Sequence, residues 1–316
     1  MKFGVALTTR GRDATAETLA RVARATEEYG FDSVWVTDHI VIPSRIASAY
    51  PYEATGTFDV PANEYYLEPL TVLTYLAGVT HRIRLGTGVL VLPYRNPVLL
   101  AKTVASLDVL SGGRVILGVG VGWMEEEFRA LGLDTFGQRG AVTDEAIRLL
   151  RELWTRDEPR FAGRFFRVED VRFYPKPVQK PHPPIWIGGH TPAALRRAAL
   201  LGDGWHPIGL RPPVGLQPEE YAQSAATVRR LAEEAGRDPG EIALTFRASL
   251  AFTDKPPSSR TPFIGSPAQI LEDIRAYARL GVSHLVFGFR GPTVEALLEQ
   301  LQRFAVEIRP AVSDLS

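Results

Sequence analysis

The sequence contains no cysteine, which removes disulfides, thiolate metal ligation and a cysteine nucleophile together. Any chemistry must run on histidine, carboxylates, hydroxyls or a borrowed cofactor. Net charge is also lacking: 36 Lys and Arg stand against 36 Asp and Glu, so nothing draws the chain toward phosphate backbones or anionic lipid. No nucleic-acid or membrane partner is therefore expected, and a small-molecule substrate is. No apolar run approaches the roughly 18 residues that a spanning helix needs. The opening segment, MKFGVALTTRGRD, has a short β-like run where a signal peptide has a longer apolar core and a cleavage site, so a cytoplasmic protein is expected. A Walker A lysine, HExxH and GxSxG are missing as well, and with them the usual local signals of phosphate transfer, zinc proteolysis and serine hydrolysis.

What the sequence does have is alternation. No Gly/Ser tract, charge block or change in composition divides it, and strand-then-helix units repeat to the end, which predicts a single domain over residues 1–316. Apolar runs at 2–9, 33–39, 82–92, 114–122, 185–190, 204–209, 243–252 and 283–289 read as eight strands. Helical spacing follows each, at 15–30, 67–80, 97–110, in segments between 124 and 154, from 192, and at 218–236, 267–281 and 293–308. A Pro/Tyr/Gly-rich stretch to about residue 66 follows the second strand as a candidate lid. A β-hairpin excursion over 155–184 follows the fourth, and a third insertion follows the seventh. Strands apolar on successive residues suit a parallel sheet covered on both faces, so the expected fold is an α/β (β/α)8 TIM barrel with insertions after strands 2, 4 and 7. The competing doubly wound sheet lacks its dinucleotide fingerprint: Gly118 and Gly120 lead to Trp123, and Gly86 and Gly88 to Val91, where a third glycine should stand.

In a barrel the functional face lies at the carboxyl ends of the strands. Asp38 and His39 close the second strand, where a carboxylate can orient a ring and an imidazole can exchange a proton near neutrality; an Asp/His pair satisfying backbone groups at a loop start is the bland alternative. Gly120 and Gly122, with Gly118, would let backbone approach a flat or anionic ligand, or would merely ease helix–strand packing. At Gly188, Gly189, His190, Thr191 and Pro192 a strand ends in two glycines, a capping threonine and a first-turn proline, leaving amides that suit a phosphate as well as an ordinary capped helix. Of the tryptophans, Trp123 and Trp205 are expected to wall a planar-ligand cleft. Glu125, Glu126 and Glu127 read as a solvated helix start and not a metal site. The remaining strand ends, including 247–249 and 287–290, complete the face without a motif of their own.

The ordered segments VTDH, RLGTGVLVLPYRNPVLLAKTVASLD, GGRVILGVGVGWMEEEFRALG, PKPVQKPHPPIWIGGHTPAALRRAA and GDGWHP resemble the luciferase-like monooxygenase family, in particular its coenzyme F420-dependent oxidoreductases. The resemblance covers nearly the whole chain and implies a (β/α)8 barrel with F420, or alternatively FMN, in its mouth. It implies further that Asp38 and His39 contact the deazaflavin and serve proton transfer, and that Gly88–Val89 is a non-proline cis peptide behind the ring. Gly120, Gly122 and Trp123 would line the cofactor, and Gly188, Gly189, His190 and Thr191 would cradle its phosphate. Trp123 stands where the sugar-phosphate dehydrogenases of the family carry glutamate, which speaks against glucose-6-phosphate oxidation. The implied activity is hydride transfer between F420 and a small organic substrate; the alternatives are an FMN-dependent monooxygenase using oxygen and a flavin-binding barrel without catalysis. A homodimer through helices near 67–80 and 97–110 is also implied.

Overall fold

Val34, Trp35 and Val36 are buried in succession, which a strand reaches only when both of its faces are covered. The computed structural model shows why, and it describes all residues except 54, 59, 62–63, 210–215, 254–260, 290, 292 and 316. Eight parallel staves form the sheet: β1 (Lys2–Ala6), β2 (Ser33–Val36), β3 (Arg84–Thr87), β4 (Val115–Gly120), β5 (Ile185–Gly188), β6 (Gly204–His206), β7 (Ala243–Phe252) and β8 (His284–Phe289). Each pairs with the next in chain order, from Gly4 opposite Ser33 through Trp186 opposite Gly204 to Thr245 opposite His284. Lys2 opposite His284 then closes β8 onto β1. The fold is a (β/α)8 barrel, as the alternation predicts.

Helices α1 (Ala16–Glu28), α2 (Pro69–Val79), α3 (Pro97–Ser111), α4 (Glu125–Ala130), α5 (Arg139–Thr155), α6 (Pro192–Leu201), α7 (Pro218–Glu234), α8 (Pro267–Arg279) and α9 (Val294–Arg303) surround it. Their starts follow from local chemistry. Asn96, Thr191 and Ser266 cap backbone N–H groups, and a proline holds the first helical position after each. The insertions also stand where expected. Residues 37–68 follow β2, α4, α5 and a hairpin (Phe161–Ala162 with Arg167–Val168) follow β4, and Ile264–Gly265 pairs back onto Ala251–Phe252 after β7. Part of this last insertion, 254–260, and the strand-end position 290 lie outside the described residues.

Two predicted strands are broken. The run 82–92 stops at Thr87, the Gly88–Val89 peptide is cis, and Leu90–Val91 then pairs separately with Val119–Gly120. The run 204–209 is interrupted at Pro207, which has no N–H for the ladder, before Ile208–Gly209 pairs with β7. Inside the barrel Trp35 stacks on Trp186 at 5.2 Å and on His206 at 4.7 Å, with His284 edge-on. Glycines make the room: a Cβ at Gly86 would lie 2.4 Å from Trp35, and one at Gly204 2.6 Å from Trp186. The larger apolar layer, between staves and helices, carries residues such as Leu85, Leu117, Phe246 and Phe287.

Candidate active site

Adjacent residues of an extended chain project to opposite sides, and this separates the pair that follows β2. Asp38 turns to Arg95, which donates to both of its oxygens at 2.6 and 3.0 Å, and also accepts from the Val91 N–H at 2.8 Å. Arg95 reaches Glu68 as well, at 2.7 Å. Burial works against the Arg95 charge, but its bonds to Asp38 and Glu68 outweigh that and hold it above its ordinary value. Asp38 therefore does not orient His39, contrary to the expectation that the two work as a pair; it fixes the loop after β3.

His39 is oriented by Glu127. Its Nδ1 lies 2.7 Å from Glu127 Oε2, and the same carboxylate accepts from the Tyr94 hydroxyl at 2.9 Å and from the Ile40 and Val41 N–H groups at 2.6 and 3.2 Å. Glu127 is fully buried, so the solvated helix start expected at 125–127 holds only for Glu125. Glu126 accepts from Ala47 and Ser48 N–H of the lid segment. The sequence does carry a signal for Glu127: Met124 and Phe128 mark the inward face of α4, and position 127 shares it at helical spacing. With Nδ1 committed to the carboxylate, Nε2 is the ring nitrogen that Glu127 leaves unengaged.

Aromatic side chains enclose His39. Phe58 and Tyr66 lie 5.1 Å from its ring and Trp123 6.3 Å, while Tyr50 packs on Phe58 and Trp123 at 5.0 Å. The stretch after β2 thus covers His39, and Trp123 stands among these aromatics. Trp205 does not. It is fully buried outside the barrel against Tyr221, with Nε1 donating to the Gly189 carbonyl at 2.8 Å, because alternate residues of β6 face opposite sides.

The glycines line up behind Val89. A Cβ at Gly120 would lie 2.6 Å from one Val89 methyl, and a Cβ at Gly188 2.8 Å from the other. These positions are small because the cis segment fills the space, so packing accounts for them directly. Gly122 (φ +81°) sits against Phe128 and Val91. After β5, Gly189 is left-handed (φ +91°), Thr191 Oγ1 accepts from Ala194 N–H, and the Nδ1 of His190 is buried with no partner among the described residues.

Comparison with known proteins fixes the family. The sequence profile of the luciferase-like monooxygenases matches residues 1–260. The chain belongs to this family. Membership makes it an oxidoreductase. An uncharacterized protein of Mycobacterium tuberculosis is 35% identical over 297 residues, covering 91% of this chain and 93% of its own. The phthiodiolone/phenolphthiodiolone dimycocerosates ketoreductase of Mycobacterium bovis is 34% identical over 222 residues, 67% of this chain and 55% of that protein. Among solved structures, an F420-dependent secondary alcohol dehydrogenase in complex with an F420-acetone adduct shares the fold with a TM-score of 0.76 at 20% identity, covering 98% of both chains. A riboflavin lyase with modified FMN shares it with a TM-score of 0.77 at 16% identity, covering 99% of this chain and 91% of that one.

Proposed function

We propose that the chain is an F420-dependent oxidoreductase that moves a hydride between the deazaflavin and a small carbonyl or alcohol substrate, as a single-domain subunit of a cytoplasmic homodimer. The observation that carries this reading is the buried His39–Glu127 dyad under an aromatic cover. Hydride delivery to a carbonyl carbon needs a proton at the oxygen, and a carboxylate-oriented imidazole is built to give one. The ketoreductase likeness points the same way.

The residues present fit a phosphate-bearing, flavin-like cofactor. Val89 offers an apolar surface, Gly122 and Trp123 line the rim, and the orphaned Nδ1 of His190 stands with Gly189 and Thr191 at the start of α6, where an anion is favoured. Bound there, F420 supplies the hydride from carbon 5 of its reduced ring. The protein's share is positional. Asp38 and Arg95 fix the loop carrying the cis segment, Phe58, Tyr50 and Trp123 exclude water, and Nε2 of His39 gives or takes the proton.

Titration of the purified chain with F420 and with FMN, followed by turnover with each reduced form, tests the reading. F420 should bind and be oxidised by ketones without oxygen. Tight FMN binding with oxygen-dependent turnover would replace the proposal with a monooxygenase, and no binding of either would return the chain to a barrel without this catalysis.

A further inference from the structure

One cation at the floor of the mouth is used by neither the dyad nor the lid. Arg247 stands midway along β7, opposite Ile208 on one side and Val286 on the other. It is half-buried, and its Nη1 donates to the carbonyl of Gly88. Among the described residues no carboxylate lies within ion-pair distance of it. The titratable groups whose charges act on it are the phenols of Tyr50, Tyr52 and Tyr66, and it acts in turn on the imidazole of His206.

Two other buried arginines of the chain are more fully engaged. Arg95 holds two carboxylates, and Arg114, which holds none, spends all five N–H donors on the oxygens of Ser111, Thr80, Ile83 and Ala77. A guanidinium kept only for structure should be satisfied in this way. Most donors of Arg247 have no partner among the described residues.

His206 supplies a second, independent sign. Its Nδ1 lies 2.7 Å from Thr245 Oγ1, whose own proton goes to the Trp205 carbonyl at 2.9 Å, so Nδ1 carries the imidazole proton. Nε2 is then a bare lone pair, buried and without a partner among the described residues. A Cβ at Gly88 would lie 3.5 Å from Arg247 Nη1 and 3.6 Å from His206 Nε2, so both atoms converge on the same point. Burial first, and the nearby guanidinium second, hold His206 neutral, with its pKa brought down to about 3. Neutral, it sets no second positive charge beside the guanidinium.

We infer that Arg247, positioned by the Gly88 carbonyl and standing beside neutral His206, is a ligand-binding residue that takes a planar oxygen anion, a carboxylate, at the floor of the mouth. A carboxylate on the substrate and the delocalised oxygen charge of a reduced cofactor ring offer this same chemistry. The inference rests on the mouth being the active site and not on which cofactor fills it.

Calorimetric titration of the full chain with benzoate, and with benzamide as its uncharged counterpart, tests it in wild type, R247Q and R247K. Benzoate should bind wild type, weaken by more than about tenfold in R247Q, and keep an intermediate affinity in R247K, which preserves the charge but not the fork of donors. Benzamide should bind weakly and ignore the substitutions. Repeating the titration on F420-loaded protein separates the sources. Benzoate binding that persists assigns the anion to the substrate, whereas competition with reduced F420, together with loss of reduced but not oxidised F420 affinity in R247Q, assigns it to the cofactor. Equal benzoate affinity in wild type and R247Q, or equal binding of benzoate and benzamide, overturns the inference. Should R247Q fail to fold, an R247K affinity equal to wild type overturns it as well. Benzoate captured through Arg247 by a chain that binds neither F420 nor FMN would sink the cofactor reading and leave this one standing.

Discussion

The dyad sets two residues apart from everything around them. His39→Ala should leave F420 affinity within about tenfold, roughly 1.4 kcal/mol, because the proposed binding surface is mostly backbone and apolar wall. Turnover should fall further, by about 10²–10⁴-fold. Titration of folded H39A and its single-turnover rate measure the two, and an unchanged rate would move the proton to another donor such as Tyr94, which already bonds Glu127. Glu127→Gln is the sharper change. An amide can still accept from the Ile40 and Val41 N–H groups, but it presents a donor to either His39 or Tyr94, so the imidazole loses the tautomer that the carboxylate imposes. Single-turnover rates should drop by about 10²-fold or more, with cofactor affinity nearly kept. The charge pattern alone hid Glu127, since three consecutive glutamates look like solvent-facing helix start; only the contrast with Met124 and Phe128 reveals which one faces inward.

Two elements show how tightly the frame holds this geometry. A Cβ at Gly118 would fall 1.9 Å from the Thr87 carbonyl oxygen, and backbone on both sides leaves nothing flexible to yield. Gly118→Ala should therefore cost about 1–3 kcal/mol or more in a denaturant melt, whereas alanine at Gly78, where a Cβ meets nothing, should be tolerated. The lid segment is pinned by Glu126. Burial alone would raise that carboxyl, but its bonds from Ser48 and from Ala47 N–H prevail and pull it down to about 2. A carboxyl lowered in the folded chain gives its full contribution above the ordinary range near 4.5 and loses it as pH falls toward 2. E126Q should accordingly speed chymotryptic cleavage within 40–66 at neutral pH, and equal cleavage rates would show that the aromatic packing holds the lid unaided.

At the scale of the whole molecule, the apolar surface points outward on one side. Leu99 and Leu110 of α3 are 66% and 69% exposed, with Val109, Tyr174 and Val178 also open to solvent. A patch of this kind suits a self-complementary interface. Light scattering should give twice the chain mass for wild type and one chain mass for L99E/L110E; a monomeric wild type would end the homodimer proposal. The barrel interior sets the acid limit. His206 and His284 are both held below their ordinary range by burial, His206 down to about 3, so below about pH 6.5 the unfolded chain binds protons that the folded chain refuses. Stability is whole above that range and should fall as pH drops through it, by about 1.4 kcal/mol per pH unit for His206 down to about pH 3 and in the same direction for His284, which denaturant melts at several pH values would show.

The sequence by itself determined the barrel, the order of its staves, the three insertions and the addresses of the mouth, because buried parallel strands and capped helices are written in local periodicity and in Thr, Asn, Ser and Pro at helix starts. It also marked Gly88–Val89 and brought attention to His39 and Trp123, which do stand together. Tertiary structure alone decided the partnerships. Asp38 and His39 are neighbours in sequence yet face opposite ways, and each finds its partner 57 and 88 residues on, in Arg95 and Glu127. The smallness of Gly120 and Gly188 likewise answers to a valine from another stave, and Arg247 differs from Arg114 only in the oxygens that surround it. Such facts depend on which side chains converge across a closed sheet, and a one-dimensional pattern carries the facing of a residue but not the identity of what it faces.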